Sequence, residues 1–276
     1  MAVVVVVLGG PAVTRTPVVF IHGAWLHALS WECWEDSFAG RGFLTCAPGW
    51  PGEAATAREA RARSAPGPDI GLEALTTYFA EVVRSFEVPP VIIGHSVGGL
   101  VAQHLVGVEL GQAAVAIAPV PINSIALEEG YQLVGGGPVD APVLLSAERF
   151  REDFANAVSA EESDRLYERY VVPTPGRLLR DLGCGGGPRH PGVRVDTGNM
   201  TRGPLLLVSG QEDFLVPDRV TRAVYKEYGD SRALTELKQF ADRGHSLVVD
   251  SGWQFIARYV LGWLDERGIR PTDLRR

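Results

Sequence analysis

The stretch that decides the fold is Val91-Ile92-Ile93-Gly94-His95-Ser96-Val97-Gly98-Gly99, followed by Leu100-Val101-Ala102-Gln103-His104-Leu105. An apolar run typical of a buried strand leads directly into a segment that is compatible with a helix. Glycines stand two residues before and two residues after Ser96, and only such small neighbours allow a very tight strand-to-helix turn. The turn pushes the serine out of the sheet, at a helix N-terminus whose N–H groups and dipole favour developing negative charge. The stretch therefore predicts a nucleophile elbow with Ser96 as the nucleophile.

On both sides of this turn, short apolar runs alternate with helix-like segments. This alternation predicts an α/β fold with a mostly parallel, doubly wound sheet. The predicted strands are Val18 to Ile21, Phe43 to Ala47, Val91 to Ile93, Ala114 to Ile117, Leu205 to Ser209 and Leu234 to Phe240. The predicted flanking helices are Trp31 to Ala39, capped by Ser30, then Gly71 to Phe86, and a terminal helix over residues 252–266.

One long segment, residues 121–202, interrupts the alternation because it offers no convincing strand. Its periodicity instead predicts helices at Ser146 to Ala157, Ala160 to Tyr170 and Pro175 to Leu182, among glycine-rich connections. We therefore predict that residues 1–120 and 203–276 form the core and that residues 121–202 form an inserted helical lid.

Composition bounds the class of protein. The chain has 276 residues, 46% of them hydrophobic, which fits one sizeable domain with a large core. A net charge of -7 argues against nucleic acid and against an anionic membrane as partners. The 3 cysteines are widely separated, which gives no disulfide framework or zinc site and favours a reducing, cytoplasmic compartment. The scarcity of lysine beside abundant arginine and alanine favours a GC-rich bacterial genome.

The N-terminal stretch from Met1 to Leu8 is strongly apolar. It lacks a positively charged n-region and a small-residue cleavage site, and it is too short to span a bilayer. We expect Val3 to Leu8 to be a strand or a start-site extension rather than a targeting segment.

A serine nucleophile needs a base, and the base needs a group that orients it. His245 follows the last predicted strand, and Asp213 follows the strand Leu205 to Ser209, so each lies on a loop at a strand's C-terminal end. Taken singly, Asp213 fits a helix cap and His245 fits an ordinary loop histidine. The order Ser96, Asp213, His245 along the chain predicts a catalytic triad. Glu212 is the adjacent alternative for the acid.

The loop His22-Gly23-Ala24-Trp25 follows the first predicted strand. A tetrahedral oxyanion needs two preorganised donors, and Gly23 lets this loop approach the nucleophile closely. We assign the donors to the backbone N–H groups of Ala24 and Val97, with Trp25 as the alternative to Ala24. His22 is expected to brace the turn. Candidate substrate-binding side chains are Trp25, Phe214 and Leu247.

With these residues in place, the chain from Pro17 almost to its C-terminus resembles the α/β-hydrolase superfamily. His22-Gly23-Ala24 with Ser30-Trp31 is similar to the small esterase and hydroxynitrile-lyase-like branch, and the segment from Pro48 to Gly52 resembles a loop of many bacterial members. The chain departs from the family at its start, because only about sixteen residues precede the first motif strand. The two leading antiparallel strands are therefore missing or reduced to Val3 to Leu8.

The resemblance implies an enzyme, and the nucleophile narrows its chemistry. Dehalogenases and epoxide hydrolases of this superfamily need an aspartate where this chain has Ser96, so those activities are disfavoured. A serine with an oxyanion hole suits hydrolysis of an ester, lactone or thioester of a small to medium apolar molecule, with no metal and no cofactor. Two alternatives stay open: a lyase or carbon–carbon hydrolase with His245 as general base, and a ligand-binding protein without turnover.

Overall fold

A parallel sheet forms the centre of the molecule. The computed structural model describes residues 15–63, 69–122, 125, 141–184 and 193–271. Six strands pair in the order β2-β1-β3-β4-β5-β6, and every pair is parallel. The strands are β1 Pro17–Ile21, β2 Leu44–Cys46, β3 Val91–His95, β4 Ala113–Ile117, β5 Leu205–Gly210 and β6 Thr235–Phe240. The predicted fold class is confirmed, and each strand is present with its ends shifted by at most two residues.

Burial explains why the inner strands could be predicted from apolar runs in the sequence. Every residue of β1, β3, β4 and β5 is buried, because helices cover both faces of an interior parallel strand. The edge strands β2 and β6 are only partly buried. Polar residues such as Glu236 and Lys238 therefore remain possible in β6 without a buried charge.

Helices lie between the strands and in the segment from β4 to β5. They are α1 Glu32–Ala39, α2 Ala57–Ala62, α3 Leu72–Arg84, α4 Val97–Gly107, α5 Ala147–Arg149, α6 Ala160–Tyr170, α7 Gly176–Asp181, α8 Asp218–Glu227 and α9 Trp253–Glu266. No helix among the described residues is long and apolar enough to cross a bilayer.

Two local predictions were wrong. Ser30 does not cap α1, because a 3-10 helix, Ala28–Trp31, precedes that helix and is itself capped by the side chain of His27. The helix predicted from Ser146 to Ala157 is instead the short α5 followed by a π-helix, Phe150–Phe154. The π-helix buries both of its phenylalanines in the hydrophobic core.

The predicted lid boundaries stay a prediction, but the described part of residues 121–202 is informative. Apart from two isolated bridges, Leu26 to Val171 and Val143 to Thr174, its regular structure is helical. Its last residues pack on the core, since His104 of α4 bonds through Nδ1 to the carbonyl oxygen of Arg194 at 2.8 Å. Residues 1–14, with the predicted strand Val3 to Leu8, lie outside the described residues.

The topology gathers four loops at one edge of the sheet. All strands are parallel, so their carboxyl ends lie together, where open α/β sheets place their ligands. The loops after β1, β3, β5 and β6 carry, in that order, Ala24, Ser96, Asp213 and His245.

Candidate active site

Ser96 occupies a strained turn between β3 and α4. Its backbone has φ 54° and ψ -113°, a conformation that L residues adopt only when the surroundings enforce it. A Cβ on Gly94 would lie 2.0 Å from the carbonyl oxygen of Gly98, and one on Gly98 would lie 2.0 Å from that of Ile21. The Ser96 N–H donates to the Ile117 carbonyl at 2.9 Å and fixes the turn to β4. Both predicted glycines are therefore required by packing.

His245 and Asp213 form a buried pair beside this turn. The Nδ1 of His245 lies 2.8 Å from Oδ2 of Asp213, and both side chains are fully buried. The other carboxylate oxygen of Asp213 accepts from the N–H groups of Leu215 at 2.8 Å and Val216 at 2.7 Å. The aspartate is thus locked by its own loop, and it fixes the histidine with hydrogen on Nδ1 and a lone pair on Nε2.

The Nε2 atom of His245 is buried and has no hydrogen-bond partner among the described residues. Ser96, which is 3% exposed, therefore does not donate to it in this structure. A buried nitrogen acceptor without a partner is costly in an ordinary structural role and is typical of a group kept for a reacting proton.

The adjacent acid, Glu212, points elsewhere. Its side chain is exposed, while its backbone carbonyl accepts from Asn156 at 2.7 Å and its N–H donates to the Arg243 carbonyl at 3.0 Å. Of the two candidate acids, Asp213 alone contacts the histidine ring.

The loop after β1 lies directly against the serine. A Cβ on Gly23 would lie 2.8 Å from Cβ of Ser96, which shows how closely the loop approaches. Within the described chain, neither the N–H of Ala24 nor that of Val97 donates a hydrogen bond. The N–H of Trp25 is already committed to Oγ1 of Thr174 at 2.6 Å, and this removes Trp25 as the alternative donor.

Glu53, a largely but not fully buried carboxylate behind this loop with its side chain 10% exposed, was not predicted. One carboxylate oxygen of Glu53, Oε2, lies 3.1 Å from Nε2 of His22 and accepts a hydrogen bond from the N–H of Trp50 at 3.0 Å. The other oxygen, Oε1, accepts from the N–H of Ala28 at 2.9 Å and lies 3.1 Å from Nε2 of His27. Burial alone would raise the pKa of Glu53, but the two histidines and the backbone donor hold it below its ordinary value. Glu53 is therefore ionised. The sequence feature that could have indicated Glu53 is a single acidic residue in the loop after β2, at the same edge of the sheet as Ser96.

His95, the residue before the serine, supports the histidine loop. It is fully buried, and its Nε2 donates to the carbonyl oxygen of His245 at 3.0 Å. Burial, together with the neighbouring His245, holds the pKa of His95 well below its ordinary value, so its ring is neutral. Phe154 of the π-helix packs edge-on against the His245 ring, with centroids 4.7 Å apart.

A cavity of about 300 Å³ lies on the outer side of the β1 loop. Its mainly apolar walls include Trp25, Trp50, Ile70 and Leu144, with Val172, Pro173 and Thr174 from the segment after α6. Of the three predicted substrate-binding side chains, Trp25 lines this cavity, and its role in substrate binding stays a prediction. Phe214 and Leu247 do not line this cavity, because Phe214 is 64% exposed and Leu247 is fully buried. Ser96 is also not among the residues that line this cavity.

Nothing in the described residues forms a cluster of three or more histidine, cysteine, aspartate or glutamate side chains that could hold a metal ion. Several polar groups at this edge are paired with one another or with backbone atoms, whereas Nε2 of His245 and Nδ1 of His95 have no hydrogen-bond partner among the described residues. The arrangement brings a serine, a histidine and an aspartate to one edge of the sheet, and these residue types move protons in general acid–base catalysis.

Comparisons with known proteins agree with the fold. A family model described as the alpha/beta hydrolase family matches residues 18–258. No match was found among curated proteins. Among solved structures, a methylesterase from Arabidopsis is 17% identical, with a TM-score of 0.63 and coverage of 91% of this chain and 99% of that chain.

Two further solved structures are similar over nearly their whole length. An extracellular alpha/beta-hydrolase from a Paenibacillus species has a TM-score of 0.65 at 16% identity, covering 90% of this chain and 98% of that one. A pyrethroid hydrolase from Sphingobium faniae has a TM-score of 0.60 at 17% identity, covering 92% and 99%. At these identities the likeness shows the fold.

Proposed function

Because the chain belongs to the alpha/beta hydrolase family, and is a hydrolase, we propose that it cleaves an ester, lactone or thioester through an acyl-enzyme on Ser96. The proposed substrate is a small to medium apolar molecule. The observation that carries the proposal is the buried His245, paired through Nδ1 with Asp213 and left with an unpaired Nε2 beside the strained Ser96 turn.

The proposed reaction has two halves. In the first, Nε2 of His245 takes the proton of Ser96 as Oγ attacks the carbonyl carbon, and the N–H groups of Ala24 and Val97 stabilise the oxyanion. The protonated histidine then gives its proton to the leaving oxygen or sulfur as that bond breaks. In the second half, water attacks the acyl carbon as His245 takes its proton, and His245 then gives that proton to Oγ of Ser96 as the acyl–Oγ bond breaks, which releases the acid and free Ser96.

The cavity supports an uncharged acyl or alcohol group. Its volume of about 300 Å³ is at the small end for ligand pockets, and its walls are mainly apolar. Three solved structures of similar fold are an Arabidopsis methylesterase, a pyrethroid hydrolase and a monoacylglycerol lipase, all named for ester substrates. These names favour ester hydrolysis here as the activity to test first.

The remaining parts of the proposal, which concern the lid, cofactors, partners and compartment, are based on the amino-acid sequence. Residues 121–202 act as a lid over the site, no metal or cofactor takes part, and the partner is a small molecule rather than nucleic acid or a membrane. The net charge of -7 supports the last point. We assign the protein to the cytoplasm of a bacterium on cysteine usage and composition.

Turnover of activated esters tests the proposal. The purified full chain is assayed with p-nitrophenyl esters of increasing acyl length and with simple lactones, beside Ser96→Ala and the surface control Ser85→Ala. We expect Ser96→Ala to lose about 10⁴ to 10⁶ in kcat, and Ser85→Ala to match the wild type. A loss of less than about tenfold in Ser96→Ala would overturn the acyl-enzyme and favour a lyase-type role for His245.

A further inference from the structure

The orientation of one peptide bond decides whether Ala24 can serve the oxyanion. The C=O of Gly23 and the N–H of Ala24 belong to the same trans peptide, so they point in opposite directions. The Gly23 carbonyl oxygen lies 3.0 Å from Nδ1 of His22. With the carbonyl held on the His22 side, the Ala24 N–H is turned to the opposite side of the peptide plane.

The hydrogen bond to Gly23 requires a hydrogen on Nδ1 of His22, since a carbonyl oxygen only accepts. The other ring nitrogen faces the ionised carboxylate of Glu53 at 3.1 Å and also meets an acceptor. A ring with hydrogen on Nε2 alone would set the lone pair of Nδ1 against the lone pairs of the Gly23 oxygen. That repulsion would favour rotation of the peptide, which would turn the Ala24 N–H toward the ring.

The surroundings leave the His22 ring little freedom. Trp50 stacks on it with centroids 4.5 Å apart and planes 18° apart, and His22 is 2% exposed. Glu53 is itself held by the N–H groups of Trp50 and Ala28 and by His27. The loops after β1 and β2 are thus joined through one carboxylate, and that carboxylate and the stacked Trp50 hold the ring in place.

We propose that His22 is a positioning residue that donates from Nδ1 to the Gly23 carbonyl and thereby orients the Ala24 N–H as an oxyanion donor, with Glu53 fixing the ring. The expected effect of His22 on the rate of hydrolysis rests on the proposed function of Ser96. The position of the hydrogen on the His22 ring does not depend on that function.

Two substitutions distinguish the roles of the two ring nitrogen atoms of His22. In His22→Asn the amide nitrogen lies near the position of Nδ1 and can still donate to Gly23, whereas in His22→Gln it reaches toward Glu53 and leaves Gly23 without its donor. We expect His22→Gln to lose about 10² to 10³ in kcat with little change in KM, as for removal of one oxyanion donor. His22→Asn should stay within about tenfold of the wild type. Equal losses, or the reverse order, would overturn the proposal.

A binding measurement distinguishes positioning from general damage. An aldehyde or boronic acid that forms a tetrahedral adduct should bind His22→Gln more weakly by the same factor as the loss in kcat/KM. Thermal unfolding of both variants shows whether each is folded. An adduct affinity equal to that of the wild type, in a folded His22→Gln with reduced turnover, would contradict the role.

The hydrogen on Nδ1 is measured directly by ¹⁵N NMR of the ring nitrogens in the wild-type protein. The chain has 6 histidines, and the His22 signals are those missing from His22→Asn. We expect a protonated Nδ1, and a bare Nδ1 would overturn the inference. This NMR measurement needs no substrate, so its result does not depend on the proposed function. The proposed function is contradicted by a different result, namely that the wild-type protein hydrolyses no ester.

Discussion

At the scale of single residues, the two neighbouring acids Glu212 and Asp213 have different surroundings. Asp213 contacts Nδ1 of His245, while Glu212 is exposed. Asp213→Asn keeps the shape but favours the wrong histidine tautomer, so we expect kcat on an activated ester to fall by about 10⁴. The matched Glu212→Gln should cost less than about tenfold. If Glu212→Gln is the more damaging of two folded variants, the acid is Glu212.

Gly23 offers a second test at this scale. An added Cβ would meet Cβ of Ser96 at 2.8 Å and Nδ1 of His95 at 3.1 Å, so Gly23→Ala must push the loop away from the serine. We expect kcat to fall by about 10² or more, as when an oxyanion donor is lost. Gly262→Ala is the control, because nothing lies within 4 Å of the added carbon in α9. Wild-type kcat in Gly23→Ala would contradict the close approach.

At the scale of elements, the segment after α6 is joined to the loop after β1. The N–H of Val172 donates to the Trp25 carbonyl at 2.9 Å, that of His27 donates to the Tyr170 carbonyl at 2.9 Å, and Thr174 accepts from Trp25. Trp25 has a φ of 61°, which is strained for a bulky residue. The segment after α6 therefore holds the loop that carries Ala24 in its strained shape.

Thr174→Val tests this connection. Valine keeps the volume but leaves the buried Trp25 N–H without an acceptor, at a cost of about 1–3 kcal/mol in the free energy of unfolding. We expect a lower unfolding midpoint in urea together with a reduced kcat, and recovery of both in Thr174→Ser. Wild-type stability and turnover in Thr174→Val would show that the segment after α6 does not hold the loop.

The elements also show what a sequence can and cannot predict. The inner strands were predicted because complete burial requires a continuous apolar run, and α6 was predicted because burial of one face gives apolar residues at helical spacing. Ser96, Asp213 and His245 were predicted because each follows a strand in a fixed order. The contact between His22 and Glu53 joins loops 31 residues apart and has no local pattern. The π-helix shares its apolar pattern with an ordinary helix, and only tertiary packing distinguishes the two.

The side chains that neighbour Asp213 and His245 in the sequence were harder to place. Phe214 and Leu247 flank or nearly flank Asp213 and His245, yet one is exposed and the other is in the core. On an irregular loop the side-chain direction follows no period, so proximity in sequence does not fix which side chains face a cavity.

At the scale of the whole molecule, the largely buried and hydrogen-bonded Glu53 couples stability to pH. Its pKa is lowered from an ordinary value of 4.5, so its contribution is present above that pH and is lost as the pH falls through the folded-state value. We expect Glu53→Gln to lower the thermal unfolding midpoint most at neutral pH, with the difference from wild type shrinking below about pH 4.5. The exposed Glu59→Gln is the control. A constant difference across this range would contradict the linkage.

The central claim is that Ser96 is the nucleophile of a serine hydrolase, and covalent capture tests it most directly. The folded protein is treated with a fluorophosphonate, and the adduct is located by peptide mapping. The account predicts one adduct on Ser96, loss of ester hydrolysis in step with labelling, and no adduct in Ser96→Ala. A folded protein that stays unlabelled in excess reagent, or that carries the label on another residue, would contradict it.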